Sequence, residues 1–342
     1  MRIFNGYLLM LWILLLLCVS LSVAGGSNRA GTSAAPELLI PVGARDIAMG
    51  GASIASTRGI DAIFWNPAGL GREEHGTSAL FSHMNYIADI DVNYFAVSSN
   101  FSGIGNLGFS LKSINIGDIP VTTNEFPDGT GEIISPTYVT LGATYSSLLA
   151  ENISVGFTTN LITERIDRVS ATGIAFNAGV QYSNLGSISG LGIGVVVKNV
   201  GPQMKFDGSG LIQQGTIGDR QDFIKVDAAS FELPSTIEIG VSYSEKFSGD
   251  NSITLTSVFQ NNNFSDDEYK VGAEYSFQNN FFVRGGWNFA QKATPNTEYI
   301  YGASVGAGIQ YTLSDIEVGV DYAFRNTEFF SGNHVLTLRL GF

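Results

Sequence analysis

The sequence predicts an all-β fold, a 14-stranded antiparallel transmembrane β-barrel with an N-terminal hatch. Three observations predict it. Charged residues are 14% of the chain, where a soluble domain carries about 25%. Glycine supplies 41 of the 342 residues, well above its usual share of about 7%. From residue 77 onward, apolar side chains recur at every second position, with small, polar and charged residues between them. That is the pattern of a strand with lipid on one side and a wet lumen on the other.

The chain opens with a targeting segment. Arg2 is followed by an unbroken apolar run from Leu8 to Leu17, and Ser22-Val23-Ala24 places small residues at the −3 and −1 positions of a cleavage site. This reads as a secretory signal peptide over 1–24, too short and too poorly flanked for a membrane anchor. Cys18, the only cysteine, would leave with it, so neither a disulfide framework nor a cysteine-based zinc site is expected. Leu17 stands where lipidation of Cys18 would require a small residue. A net charge of −13 without a basic cluster speaks against nucleic-acid binding.

Residues 25–76 form the expected hatch. Tight turns, small residues and isolated apolar anchors replace alternation here, and Asn66-Pro67 marks a turn from which Pro67 can start a short helical segment.

The barrel is expected over 77–342. Fourteen alternating segments lie near 77–85, 91–101, 104–114, 137–148, 152–163, 171–184, 187–198, 232–245, 251–261, 267–277, 280–290, 301–313, 315–325 and 333–342. The last is the clearest, with Leu336, Leu338, Leu340 and Phe342 on one face and Thr337, Arg339 and Gly341 on the other. Connections after even-numbered strands are short, as at Asn279 and Ser314, whereas 115–136, 199–231 and 291–300 are long. Short periplasmic turns opposite long outer loops characterise outer-membrane barrels. A pentapeptide closes five even-numbered strands: Gly142-Ala143-Thr144-Tyr145-Ser146, then with variation Gly179 to Ser183, Gly240 to Ser244, Gly272 to Ser276 and Gly308 to Thr312. Its glycine and tyrosine point to opposite faces. Tyr145, Tyr182, Tyr243, Tyr275 and Tyr311, joined by the terminal Phe342, are therefore expected to form a periplasmic aromatic girdle facing outer-membrane lipid. The glycines leave space in the lumen or let the strand bend.

Little enzyme chemistry is legible, and no catalytic, cofactor-binding or metal-binding residue is assigned. Gly103-Ile104-Gly105-Asn106-Leu107-Gly108 fits a dinucleotide pattern, but it enters a strand rather than a helix. His75, His83 and His334 have no metal-ligand spacing, and Ser82 and His83, as strand neighbours, face opposite ways. The charges expected in the lumen, among them Lys198, Glu238, Glu274, Arg284, Asp321 and Arg339, read as pairing with one another and with the hatch. The loop 199–231 sets Met204, Phe206 and Phe223 among polar residues and is a candidate partner-binding surface.

Gly43-Ala44-Arg45, Met49-Gly50-Gly51-Ala52 and Trp65-Asn66-Pro67-Ala68-Gly69-Leu70 resemble the N-terminal signature of PorV/PorQ-type proteins, which belong to the wider FadL-like superfamily of outer-membrane barrels. The resemblance implies fourteen strands and a hatch whose Asn-Pro-Ala motif falls on Asn66, Pro67 and Ala68, followed by Gly69, with a structural or gating role. It also implies an integral outer-membrane protein of a Gram-negative-type bacterium. For function it implies one of two things. The first is a type IX secretion component, an adaptor for cargo carrying a C-terminal signal domain, with secreted cargo and secretion-machine subunits as partners. The second is a FadL-like passive transporter of hydrophobic small molecules. The residues alone do not choose between them.

Overall fold

The computed structural model describes residues 29–218, 220–247, 250–290 and 299–342. The expected signal peptide and Cys18 lie outside them. Fourteen long strands form one closed antiparallel barrel. They are β1 Thr77–Asn85, β2 Asp91–Phe101, β3 Gly105–Asn115, β4 Thr137–Ala150, β5 Ile153–Ile166, β6 Val169–Ser183 and β7 Leu191–Val200. The rest are β8 Thr236–Lys246, β9 Ser252–Asn262, β10 Glu268–Phe277, β11 Phe281–Ala290, β12 Tyr301–Leu313, β13 Ile316–Thr327 and β14 Asn333–Gly341. Each of the fourteen expected segments has become one of them. Each strand pairs with the next, and β14 closes on β1 in register from Ser78 opposite Gly341 to Asn85 opposite His334. The Phe342 N–H and C=O bond to Thr77 across the same seam. Closure leaves no unpaired edge, which a sheet crossing lipid must avoid.

Alternation sorts side chains between two environments. Phe81, Phe95, Phe109, Leu141, Phe157, Ile239, Val305 and Leu336 are exposed on the outer surface, a belt far larger than a soluble protein tolerates. Among the described residues no helix is long and apolar enough to cross a membrane. Positive-φ residues make several of the tight connections, including Asn184, Gln278, Asn279 and Ser314; asparagine in particular tolerates this backbone because its short polar side chain bonds locally.

Short ladders order the long loops. Ile119–Pro120 pairs with Ile133–Ile134, and Met204–Lys205 pairs with Ser230–Phe231. A hairpin joins Ile212–Ile217 to Arg220–Lys225. Asp207–Gly208 adds to the loop end of β6, opposite Ser170 and Val169.

The N-terminal segment fills the lumen. It consists of 3₁₀ turns at Pro36–Leu39, Gly59–Asp61 and Pro67–Arg72 and two short helices, α1 Ala44–Ala48 and α2 Ala62–Trp65. Val42, Ile47, Ile60, Ile63, Trp65 and Leu70 pack on inward side chains of β13, β14 and β1 to β3, among them Leu80, Met84, Val92 and Ile114. The lumen is therefore plugged by a core rather than filled with water along that side.

Candidate functional site

The site is built where the hatch meets the wall. Asn66 ends α2 in an extended conformation and is fully buried. Its Oδ1 accepts from Ala68 N at 3.2 Å. Its Nδ2 donates to the carbonyls of Ile54, within the hatch, at 2.9 Å and Val180, on β6, at 3.3 Å. One amide thus caps the following 3₁₀ turn and ties two loops of the hatch to the barrel. Pro67 needs no partner for a missing N–H at the first position of that turn, and the Ala68 carbonyl accepts from Ser146 Oγ on β4 at 3.1 Å.

Glycine makes this contact possible. A Cβ added at Gly156 on β5 would overlap the Pro67 carbonyl group, and one added at Gly179 on β6 would overlap Asn66 Oδ1. Gly179 opens one of the repeated pentapeptides. The glycines at the same place in two others, Gly240 and Gly272, lie under Ile54 and the Met49 carbonyl. Three of the five repeat glycines, Gly179, Gly240 and Gly272, therefore leave room in the wall for the hatch, while Gly69 passes tightly against the Thr57 carbonyl and Ala62.

Opposite this notch, a chain of buried charges fixes the hatch. Arg45 of α1 makes two 3.2 Å bonds to the Glu274 carboxylate on β10. Arg284 on β11 bridges Glu274 and Asp321, both at 2.5 Å. Arg339 on β14 then links Asp321 at 2.7 Å to Asp61 of the hatch at 3.1 Å. The pairing expected from sequence is present, and its order along the wall is the new information. Ala44 N donates to Thr337 Oγ1 at 2.8 Å beside it.

Among the described residues, two hatch carboxyls, Glu37 and Asp46, have no hydrogen bond at either side-chain oxygen. Burial, and then the neighbouring Asp61, raise the Asp46 carboxyl to about 7. Burial, and then Glu164 of β5, raise Glu37 to about 8. Two cavities flank the hatch. One of about 340 Å³ lies toward the loops and one of about 360 Å³ toward the short turns.

The six expected girdle residues stand together at the short-turn end. Tyr145, Tyr275, Tyr311 and Phe342 are exposed on the outer face and Tyr182 and Tyr243 are half-buried there. The Tyr145 hydroxyl donates to the Ile104 carbonyl at 2.8 Å. The candidate loop surface needs correction. Met204 is buried over Gly173 with Ile162, Ala171 and Leu233, and Phe206 is half-buried against the same cluster. Both anchor the loop, because β6 offers them an inward-facing glycine and alanines to pack on. Only Phe223 is fully displayed, 70% exposed on the hairpin with Ile212 and Ile224. Ion pairs of 2.5 Å from Lys205 to Asp227 and from Lys225 to Asp207 tie the base of this loop.

Residues 24–228 match the family model described as type IX secretion system protein PorV. The chain belongs to the PorV family. No curated protein matches it by sequence. Among solved structures it is similar to the CymD monoaromatic hydrocarbon channel, at 13% identity and a TM-score of 0.54, covering 89% of this chain and 98% of that one. The Pseudomonas putida toluene transporter TodX gives 13% and 0.53 over 86% and 96%. A Pseudomonas aeruginosa FadL homologue gives 11% and 0.50 over 88% and 98%. At these identities the likeness concerns the fold, that of FadL-like outer-membrane barrels, and PorV membership points to type IX secretion.

Proposed function

We propose that this PorV-family barrel acts in the outer membrane as an adaptor of type IX secretion, receiving secreted cargo at its loop end while the hatch stays seated. The observation that carries this reading is the family match combined with the displayed hairpin around Phe223. An apolar side chain held out by an ordered, ion-paired loop suits a protein partner. The division that goes with it is a cleaved leader over 1–24, a hatch over 25–76 and a barrel over 77–342. Asn66, Pro67, Ala68 and Gly69 act as the structural clasp of the hatch. Tyr145, Tyr182, Tyr243, Tyr275, Tyr311 and Phe342 sit at the periplasmic lipid interface.

The fold of its structural neighbours supports a second reading, passive transport of hydrophobic molecules. A path through this lumen would carry such a molecule past lysines, asparagines and carboxylates. These would lose water without gaining partners, at a cost of roughly 1–3 kcal/mol for each polar group. That favours the adaptor. An affinity pull-down of the tagged barrel from native outer membrane separates the two. Recovery of secreted proteins that share a C-terminal signal domain supports the adaptor. Recovery of the barrel alone, with unchanged secretion in a deletion strain, overturns it.

A further inference from the structure

The cavity between the hatch and the loops is built for a ligand, and its chemistry differs from the rest of the lumen. Its floor is the hatch, where Phe64 and Trp65 line it. Lys112 Nζ lies 5.0 Å and Lys198 Nζ 5.4 Å from the Phe64 ring centroid. Its walls run from β2 round to β13.

Two features define what would fit. The first is charge. Among the described residues, Lys112, Lys198, Lys270 and Arg325 line the cavity against two carboxylates, Glu238 and Glu268. Lys198 pairs with Glu238 at 2.8 Å and Lys270 with Glu268 at 3.4 Å. The Lys112 ammonium donates to the backbone carbonyls of Glu37 and Ile40. Arg325 donates to Asn333 Oδ1 and stacks over Tyr301. Among the described residues the lining side chains therefore carry more cations than carboxylates.

The second feature is unspent hydrogen-bonding capacity. Glu238 Oε2, Asn288 Oδ1 and Thr140 Oγ1 are buried, line the cavity and have no hydrogen-bond partner among the described residues. Each of these three residues is more than nine-tenths buried. Buried polar atoms are normally satisfied, so three around one cavity point to a ligand that satisfies them. Two are acceptors only and call for hydroxyl or amine donors; the cations call for an anion and disfavour an amine.

We propose that this chamber binds a small anionic solute bearing several hydroxyl groups, of the size and chemistry of a sugar acid or sugar phosphate. Hydroxyls of the solute donate to Glu238 and Asn288. Its anionic group lies toward Lys270 and Lys198, and Phe64 and Trp65 provide a flat apolar floor for the C–H face of a ring. The proposal is independent of the secretion reading.

Calorimetric titration of the full-length barrel in detergent micelles tests it, using glucuronate, gluconate, glucose 1-phosphate, glucose and toluene as probes. The acids should bind, glucose should bind about tenfold or more weakly, the worth of one charge-assisted contact, and toluene should not displace them. Whichever of the carboxylates or the phosphate binds more tightly identifies the anionic group. Lys270→Gln should cost the acids about tenfold and leave glucose unchanged. Should that variant not fold, the order of probes on the natural protein still decides. The proposal is overturned if no acid binds up to roughly 10 mM, beyond the range of useful affinity, or if toluene binds and displaces the acids.

Discussion

The two halves of the lumen wall hold the same hatch by different means. From β13 through β14 to β3, inward Leu80, Met84, Val92 and Ile114 meet Ile47, Ile63 and Leu70 in an apolar core. From β4 through β11 polar side chains predominate on the inner face, with only small apolar clusters around Ile162 and Val196, and the hatch is held by Asn66, Ser146 and the charges from Arg45 to Arg284. Burial of area is non-directional and accepts many arrangements. Bonds between buried charges and amides accept only one, because any shift leaves an unsatisfied partner. The apolar half supplies attraction, and the polar half fixes the position of the hatch.

The strongest way to break this contrast is Arg284→Met. It leaves Glu274 and Asp321 buried without their shared cation, and removing one member of a buried pair costs about 4 kcal/mol. Thermal unfolding should fall sharply, and protease should reach the hatch in the folded barrel. Met84→Ala tests the other half. Truncating a fully buried methionine should cost about 3 kcal/mol, yet leave the hatch protected, because the polar contacts still fix its position. If the two variants give the same protease pattern, the contrast between the walls is wrong.

A smaller effect should follow from pH. Asp46 and Glu37 have ordinary values of 3.8 and 4.5 and are raised to about 7 and about 8 in place. Displaced into water they would release protons first. The seated hatch therefore loses stability as pH rises from about 4 toward 8. Arg45 and Arg284 face Asp46 and moderate the loss. Hydrogen exchange of residues 36–50 should quicken between pH 5 and 9, and Asp46→Asn should flatten the Asp46 part of that rise. The smallest effect on stability is expected of Phe223→Ser, within about 0.5 kcal/mol for an exposed position, together with loss of cargo co-purification.

Much of this architecture was legible because a period of two survives in every strand, down to Leu336, Leu338 and Leu340. The two apolar faces of β1 were also present in its sequence: Leu80 and Met84 face the hatch and Phe81 faces outward, apolar positions of both parities that a strand facing water on one side would avoid. The docking notch was half legible. The repeated glycines announced space in the lumen, but no local pattern could show that the space at Gly179 receives Asn66, more than a hundred residues earlier. Met204 was misread because an isolated apolar residue in a polar loop gives no sign of what it folds back upon; its partner, Gly173, is an inward glycine with nothing in the sequence linking the two. The order of the lumen charges depends on strand register, which alternation alone does not supply.

The central claim is that the hatch stays seated while the loop end does the work. An added Cβ at Gly71 would stand 2.9 Å from Ser146 Oγ, within reach of a disulfide, and the chain's only other cysteine is Cys18 in the expected leader. Secretion of signal-domain cargo by a strain carrying Gly71→Cys with Ser146→Cys, compared with and without a reductant, is the most direct measurement. The account predicts equal secretion with the hatch locked to β4 or released. Secretion that stops in the locked barrel and returns on reduction would contradict it.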